Sequence, residues 1–325
     1  MPQSFQIAHI SDPHISRQYY REHMKSFKLL LRAVVDEGVD HIIVSGDIIS
    51  TGHEDDFYLA REIFSNLGLL DSNRLTVVPG NHDIFGGPHR AVDVLSFPQH
   101  IRSVDYKYRK ELFQNAFAET FNGVQYISIS DLFPFIKTIG PFNIIGLNSI
   151  PPWSLRRNPL GTNGSLDVQQ IEALEKLNTS SLLENRTTIV VLHHHFNDLA
   201  QSEYDGGNLW TRIESNTMRM RKRKKILKIF QSIGVRYILH GHIHRNELYN
   251  RNGILFANGA GAVCDDPVKF LKYNLLSYSD GYCNVKIRQL PIPYQESTVT
   301  QALHRKHRPL SIPEFAMKPL DSLTQ

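Results

Sequence analysis

The stretches HISDPHIS (residues 9–16) and ILHGHIHR (residues 238–245) decide how this chain folds. Each marks the end of an apolar run and carries a cluster of histidines, joined in the first stretch by an aspartate. Three further runs end in a similar way: HIIVSGD (41–47), LTVVPGNHD (75–83) and TIVVLHHH (188–195). Because ionisable side chains are costly to bury without partners, their repeated placement at the ends of apolar runs indicates a shared site.

Apolar runs of strand length alternate with segments of helical periodicity, a pattern typical of α/β proteins. The first strand is predicted at about 5–10, and short runs separated by turn residues predict antiparallel strands from 247 to 290. Helices are predicted over about 19–37, 54–67, the segment that follows Ser165 as its N-cap, and the very basic segment 217–233.

The predicted domain organisation is a single domain over residues 1–290. With 325 residues, the chain is long enough to bury a sizeable core in one domain. Residues 84–124 fit the alternation poorly and are predicted to be an insertion over one rim. Residues 291–325 contain five prolines and are predicted to form an extended, basic tail.

Composition indicates an ordinary globular protein, with 41% hydrophobic and 21% charged residues. The two cysteines, Cys264 and Cys283, exclude a disulfide scaffold and fit a reducing compartment. No secretory signal precedes the first strand, and no apolar run reaches the 18 or so residues of a membrane span. We therefore expect a soluble, cytoplasmic protein. The net charge of +4 suits an acidic substrate or surface.

The five polar clusters are expected to converge at one sheet edge, because the carboxyl ends of strands in an open α/β sheet lie along one edge and ligands bind there. Asp, Asn and His without Cys form a ligand set for divalent first-row metals. Asp12 and His14 are two residues apart, so in an extended backbone they would point to the same side, and His242 and His244 repeat this spacing.

The number of donors predicts two metal ions. Asp47 and Asn81 each follow a glycine, which allows close approach of the backbone. Together the clusters offer about eight donors, more than one ion uses, whereas two ions roughly 3.5–4 Å apart would use them all.

In the order D-x-H, G-D, G-N-H-D, H and G-H-x-H, these motifs resemble those of the calcineurin-like metallophosphoesterase superfamily over roughly 5–260. The resemblance implies an α/β fold, a four-layer α-β-β-α sandwich of two mixed sheets flanked by helices. It also implies two divalent metal ions, with manganese, iron, zinc and nickel as candidates, and attack on phosphorus by a hydroxide that bridges them.

The resemblance also implies a role for each motif residue. The histidine of the H motif is assigned to His193, but Phe196 stands where many family members have proline, which leaves His194 or His195 open. The two sets of metal ligands, which share Asp47 as a bridge, are Asp12, His14, Asp47 and His244 for one ion and Asp47, Asn81, His193 and His242 for the other.

Two further residues of the G-N-H-D motif are assigned catalytic roles through the resemblance. His82 would stand beside the scissile phosphate without binding metal and would donate a hydrogen bond or a proton to the leaving oxygen. Asp83 would orient the ring of His82. Six other histidines match no motif and are predicted to be structural or surface residues, although two of them, His53 and His89, could reach the rim of the site. The six are His9, His23, His41, His53, His89 and His100.

The substrate predicted from the resemblance is a small phosphodiester of nucleotide or glycerol type, since the chain is most similar to cyclic-nucleotide and glycerophosphodiester phosphodiesterases. The alternatives are a nuclease, a phosphomonoesterase or pyrophosphatase, and a catalytically silent scaffold. The basic stretches MRMRKRKKILK (218–228) and HRKHR (304–308) leave contact with nucleic acid or with an anionic membrane as hypotheses.

Overall fold

Two mixed β-sheets and the helices that flank them make up the computed structural model. It describes residues 4–89, 91–128, 131–197, 218, 220–244, 246–259, 261–263 and 270–292. The strands are β1 (Phe5–Ile10), β2 (His41–Val44), β3 (Leu75–Val77), β4 (Gln125–Tyr126), β5 (Phe135–Ile139), β6 (Phe142–Gly146), β7 (Thr187–Val191), β8 (Val235–His240), β9 (Asn246–Arg251), β10 (Ile254–Gly259), β11 (Phe270–Ser279) and β12 (Tyr282–Pro291).

The helices connect these strands along the chain. They are α1 (Arg21–Asp36), α2 (Glu54–Ser65), α3 (Asn81–Phe85), α4 (Ala91–Ser103), α5 (Tyr106–Ala116), α6 (Val168–Leu177) and α7 (Arg223–Ser232), with short 3-10 helices at Ala118–Phe121 and Ser181–Leu183. Among the described residues, no helix is long and apolar enough to cross a membrane.

The first sheet has the order β12-β11-β1-β2-β3, and the second has the order β4-β5-β6-β7-β8-β10-β9. In the first sheet, β1, β2 and β3 are parallel and β11 and β12 run antiparallel. In the second, β6, β7, β8 and β10 are parallel and the remaining strands are antiparallel to their neighbours. The prediction of an α/β fold with two mixed sheets flanked by helices is confirmed.

Strand β7 shows why its sequence is a continuous apolar run. Ile189 and Val191 belong to the core that also contains Ile7 and Ile42 of the first sheet. Val190 points the other way and packs in a second core. Because successive side chains of a strand alternate between its faces, a strand covered on both faces is apolar throughout.

The second core is formed by the outer face of the second sheet and the apolar faces of α6 and α7, including Leu174, Ile226 and Phe230. Helices α1 and α2 pack with the first sheet, and the rings of Phe27 and Phe64 meet edge to face at 5.8 Å. The layers therefore follow the predicted α-β-β-α order.

Two helix boundaries differ from those predicted. The N-cap of α6 is Asp167 and not Ser165, because the carboxylate of Asp167 accepts a hydrogen bond from the backbone N–H of Gln170 at 2.7 Å, whereas the Ser165 hydroxyl donates to the carbonyl of Leu166. The basic helix predicted over 217–233 is shorter, at Arg223–Ser232.

The segment 84–124, predicted to be an insertion, is largely helical and carries α4 and α5. Phe113 and Phe117 are fully buried in the main core, and the guanidinium of Arg61 on α2 pairs with Glu119. Part of this segment is therefore packed into the fold. Strand β12 extends to Pro291, and residues 293–325 of the predicted tail lie outside the described residues.

We expect Asp167→Ala to lower the free energy of unfolding by about 1 kcal/mol, since it removes the side-chain cap of α6. The matched control is Ser165→Ala, which should change it by less than about 0.5 kcal/mol. Urea denaturation of both variants measures the difference. Equal losses in the two variants would contradict the assignment of the cap.

Candidate metal centre

The polar side chains predicted from five strand ends lie together where the two sheets meet. Asp12, Asp47 and Asn81 follow β1, β2 and β3 of the first sheet, while His193 and His242 follow β7 and β8 of the second. The expectation of a single sheet edge was wrong. Because the two sheets pack with the carboxyl ends of their parallel strands on the same side, each sheet contributes to one site.

One group of possible ligands consists of Asp12, His14 and His244, whose ligand atoms all lie within 4.8 Å of one another. The Nε2 atoms of His14 and His244 are 3.0 Å apart, and Nε2 of His244 is 3.6 Å from Oδ1 of Asp12. Residues 230 positions apart in the sequence are thereby brought into one cluster.

A second group consists of Asp47, His193 and His242. Nε2 of His193 is 3.3 Å from Oδ2 of Asp47 and 3.0 Å from Nδ1 of His242. The side-chain oxygen of Asn81 lies 3.2 Å from the same Nε2, so Asn81 borders this group as well.

Asp47 lies between the two groups. Its Oδ2 is 3.3 Å from Nε2 of His193 and 3.8 Å from Nε2 of His14, which belongs to the first group. A third set of ligand atoms within reach of one another, Asp47 with His14 and His82, overlaps both. Two adjacent oxygen-and-nitrogen sites with a carboxylate between them fit a pair of divalent first-row cations.

The backbone of this site is strained at most of the predicted ligands. A left-handed backbone is uncommon for residues other than glycine, and holding one costs of the order of 1–3 kcal/mol. The expectation that Asp12–His14 and His242–His244 are extended was therefore wrong, and tight turns bring these side chains together. The residues with positive φ are Asp12 at 55°, His14 at 46°, Asp47 at 49°, His242 at 79° and His244 at 46°.

Glycines before the ligands allow neighbouring loops to approach one another. A Cβ atom added to Gly80 would stand 2.1 Å from the backbone nitrogen of Asp47, and one added to Gly241 would stand 2.3 Å from Oδ2 of Asp12. Either contact is far below van der Waals distance. The glycine of each motif is thus explained by the contact between two ligand-bearing loops.

Hydrogen bonds distinguish the three consecutive histidines. Nδ1 of His193 donates to the carbonyl of Ser45 at 2.9 Å, which leaves Nε2 to act as a ligand. Both ring nitrogens of His194 are engaged, with the hydroxyl of Ser149 at 2.8 Å and the carbonyl of Thr162 at 3.1 Å.

His195 is also buried, and its ring lies 6.2 Å from that of His242. Neither His194 nor His195 belongs to a ligand group among the described residues. The serines that orient this region, Ser45 and Ser149, were not predicted, since a serine in a strand end or a turn gives no sequence signal of such a role.

His82 and Asp83 have different surroundings although they are adjacent. The backbone N–H of His82 donates to Oδ1 of Asp47 at 2.8 Å, and its Nδ1 lies 3.3 Å from the carbonyl of Ser50. The carboxylate of Asp83 is buried and accepts hydrogen bonds from the backbone N–H groups of Ile49 at 2.9 Å and Gly80 at 2.8 Å.

The prediction that Asp83 orients the ring of His82 was therefore wrong. The Ser50 carbonyl lies against Nδ1 of His82, whereas Asp83 joins the loop after β2 to the loop after β3. Burial, reinforced by the nearby carboxylate of Asp47, raises the pKa of Asp83 above its usual range. Asp83 therefore helps to hold in place the two loops that carry predicted ligands.

The electrostatics of the cluster favour a bound cation. Burial and neighbouring imidazoles hold the pKa values of His14 and His242 well below their usual range, so both rings keep a free lone pair. Burial opposes ionisation of Asp47, but the imidazoles of His193 and His82 outweigh it and lower the pKa of that carboxyl.

His193 behaves in the opposite way. Burial alone would lower its pKa, but the carboxylate of Asp47 more than offsets this and raises the pKa to about 9. The ring of His193 therefore carries a proton where a metal ion would bind, and metal binding has to release that proton.

The basic segment at 218–228 begins beside the histidine triplet. The backbone N–H of Met220 donates to the carbonyl of His195 at 3.0 Å, and that of Arg221 donates to the carbonyl of Gly164 at 2.8 Å. The lysines of α7 are exposed, and Lys225 pairs with Glu175 at 2.9 Å. The second basic stretch, 304–308, lies outside the described residues.

The sequence and the fold of this chain are similar to those of known proteins. The family model described as calcineurin-like phosphoesterase matches residues 5–246. A dimetal phosphatase from Danio rerio aligns with 14% sequence identity and a TM-score of 0.54, over 88% of this chain and 98% of that chain. At this identity, the likeness shows a shared fold.

Two other solved structures align less closely. They are phosphopantetheinyl hydrolase from Mycobacterium tuberculosis (12% identity, TM-score 0.42, 78% of this chain and 88% of that chain) and an archaeal phosphodiesterase (13% identity, TM-score 0.39, 88% of this chain and 100% of that chain). Among the curated proteins, no sequence matches this chain.

We expect Asp47→Asn to reduce the bound metal from two ions per chain to one or fewer, because the substitution removes the negative charge that both ligand groups share. Elemental analysis after dialysis measures the metal content. Asp280→Asn is the matched control, since Asp280 is also an aspartate with positive φ but lies in the turn between β11 and β12. Two ions retained by Asp47→Asn would exclude the bridging position.

Proposed function

The chain belongs to the calcineurin-like phosphoesterase family, and from this premise we propose that it hydrolyses small phosphodiesters of nucleotide or glycerol type with the help of two divalent metal ions. The observation that carries the proposal is the position of Asp47 between two ligand groups, which is the arrangement that a pair of adjacent cations requires. The family supplies the reaction class, and the choice of a diester follows the similarity of the motifs.

We propose one set of ligands for each ion. When bound, the two ions would polarise the phosphate and make a water molecule acidic enough to attack near neutral pH. Manganese, iron, zinc and nickel all suit this ligand set. The residues that would hold the ions are Asp12, His14, Asp47 and His244 for one and Asp47, Asn81, His193 and His242 for the other.

His82 is proposed to protonate the leaving oxygen. The Ser50 carbonyl favours a proton on Nδ1, so Nε2 is the nitrogen that can hold and donate a second proton. As the bond between phosphorus and the leaving oxygen breaks, that oxygen takes the proton from His82. Water and the diester are thereby converted to a phosphomonoester and an alcohol.

A nuclease is the second candidate function. It is favoured by the exposed basic residues at the start of α7, which adjoins the histidine triplet through the backbone bond between Met220 and His195. Phosphate contacts of a nucleic acid would make binding fall steeply with salt. A strong salt dependence of binding to single-stranded DNA would support this candidate over a small substrate.

The proposed function is tested with the purified protein loaded in turn with each of the four metals. Cyclic nucleotides, glycerophosphodiesters, nucleoside pyrophosphates, phosphomonoesters and bis(p-nitrophenyl) phosphate form the substrate panel. We expect the highest kcat/KM with a diester. Turnover of monoesters or pyrophosphates alone would contradict the substrate class, and inactivity with every metal would contradict the enzyme itself.

We expect His82→Ala to keep both metals and to lower kcat by about 10²–10⁴-fold, the range typical for the loss of a general acid. Metal content should survive because the contact of residue 82 with Asp47 is made by the backbone N–H. The control is His53→Ala at the exposed N-terminus of α2. Loss of metal would instead make His82 a ligand, and an unchanged rate would refute its role as the acid.

A further inference from the structure

Four aromatic side chains, Tyr19, Tyr20, His23 and His89, form a cluster beside His82, here called the aromatic wall. Tyr19 and Tyr20 follow closely after the ligand His14 in the sequence. His89 lies two residues beyond Gly87, and the backbone of Gly87 is so close to His82 that an added Cβ would stand 2.1 Å from the Cε1 atom of that ring.

The rings of the aromatic wall connect two loops of the site. Tyr19 and His89 stack with centroids 4.1 Å apart and planes 18° apart, and Tyr20 and His23 stack at 5.0 Å and 13°. Tyr20 also meets His89 edge to face at 5.6 Å. The loop after His14 is thereby held against the loop after His82, and both tyrosines remain half-buried.

Tyr20 occupies a position that does not suit a tyrosine. It is the N-cap of α1, with φ 50° and ψ 48°, and its side chain makes no capping hydrogen bond. Asparagine would tolerate this left-handed backbone better and would also cap the helix. Capping of α1 therefore does not explain why residue 20 is a tyrosine, whereas the contacts of its ring with His23 and His89 do.

The ring of His89 is enclosed within this cluster. Its two nitrogens are shielded from solvent, and the backbone carbonyl of Ser50 interacts with the ring. Burial and the imidazole of His82 lower the pKa of His89 to about 4, so the ring is neutral and has one donor and one acceptor.

We propose that the aromatic wall binds the leaving group of the substrate and that this leaving group is a nucleoside. The inference rests on the proposed phosphodiesterase function. Because His82 would protonate the leaving oxygen, the leaving group has to lie on the side of His82, where the aromatic wall stands. A nucleobase is planar and can stack on tyrosine rings.

The methyl ester of adenosine 5′-phosphate tests this inference, since its products show which group departs. Cleavage with adenosine as the leaving group gives adenosine and methyl phosphate, whereas cleavage of the other ester bond gives AMP and methanol. We expect adenosine and methyl phosphate from the metal-loaded protein. The methyl ester of glycerol phosphate serves as the reference substrate without a base.

Tyr20→Asn separates binding from folding. We expect the melting temperature to change little, because the better fit of asparagine to the backbone of residue 20 offsets the lost ring contacts. We expect kcat/KM for the adenosine ester to fall by about 10–100-fold, the range for the loss of one base-stacking contact, while kcat/KM for the glycerol ester changes by less than about twofold. His89→Leu should likewise lower kcat/KM for the adenosine ester and not for the glycerol ester. Tyr282→Leu, at an exposed tyrosine, is the control.

The outcomes separate this inference from the function on which it rests. Inactivity of the wild-type protein on every diester overturns the proposed function and the inference with it. Hydrolysis of bis(p-nitrophenyl) phosphate together with release of AMP and methanol from the adenosine ester overturns the inference alone. An equal loss on both esters in Tyr20→Asn and His89→Leu, accompanied by a lower melting temperature, assigns the aromatic wall a structural role and also overturns it.

Discussion

The carboxylate of Asp47 is the constraint on which the rest of the site depends. It accepts a hydrogen bond from the backbone of His82 and lies within 4 Å of the rings of His193 and His14. It is almost fully buried, and a buried charge destabilises the fold by several kcal/mol unless partners surround it. The loops after β1, β2, β3 and β7 therefore have to converge on one side chain, and the two sheets have to pack so that they can.

This convergence strains the backbone of the loops, and the burial of apolar side chains in the two cores offsets the energetic cost. The left-handed backbone at five predicted ligands and the close contacts at Gly80 and Gly241 would not persist in an isolated loop. They persist because the apolar strands that precede them are buried on both faces and fix where each loop begins. The stable packing of the sheets thus maintains the strained loops at their ends in one preorganised arrangement.

The surroundings of the site differ from side to side. Next to His82, the aromatic wall presents stacked rings and the neutral imidazole of His89. Next to the histidine triplet, the backbone contacts of Met220 and Arg221 lead into the basic start of α7. Under the proposed function, these different surroundings would distinguish the two orientations in which a diester with two different substituents could bind.

The sequence by itself determined the class of the fold and the identity of the possible ligands, because apolar periodicity marks strands locally and each polar cluster directly follows its strand. It also showed that the ligands belong together, through the order of the motifs. Only the tertiary structure decided how they are divided between two sheets and which ring nitrogens of the histidine triplet remain available. The tautomer of His193 depends on the carbonyl of Ser45, 148 residues away, and one oxygen of Asp83 accepts a hydrogen bond from the backbone N–H of Ile49, which lies outside the G-N-H-D motif. Such contacts depend on how loops that are distant in the sequence pack together, and a local pattern of residue types does not reveal that packing.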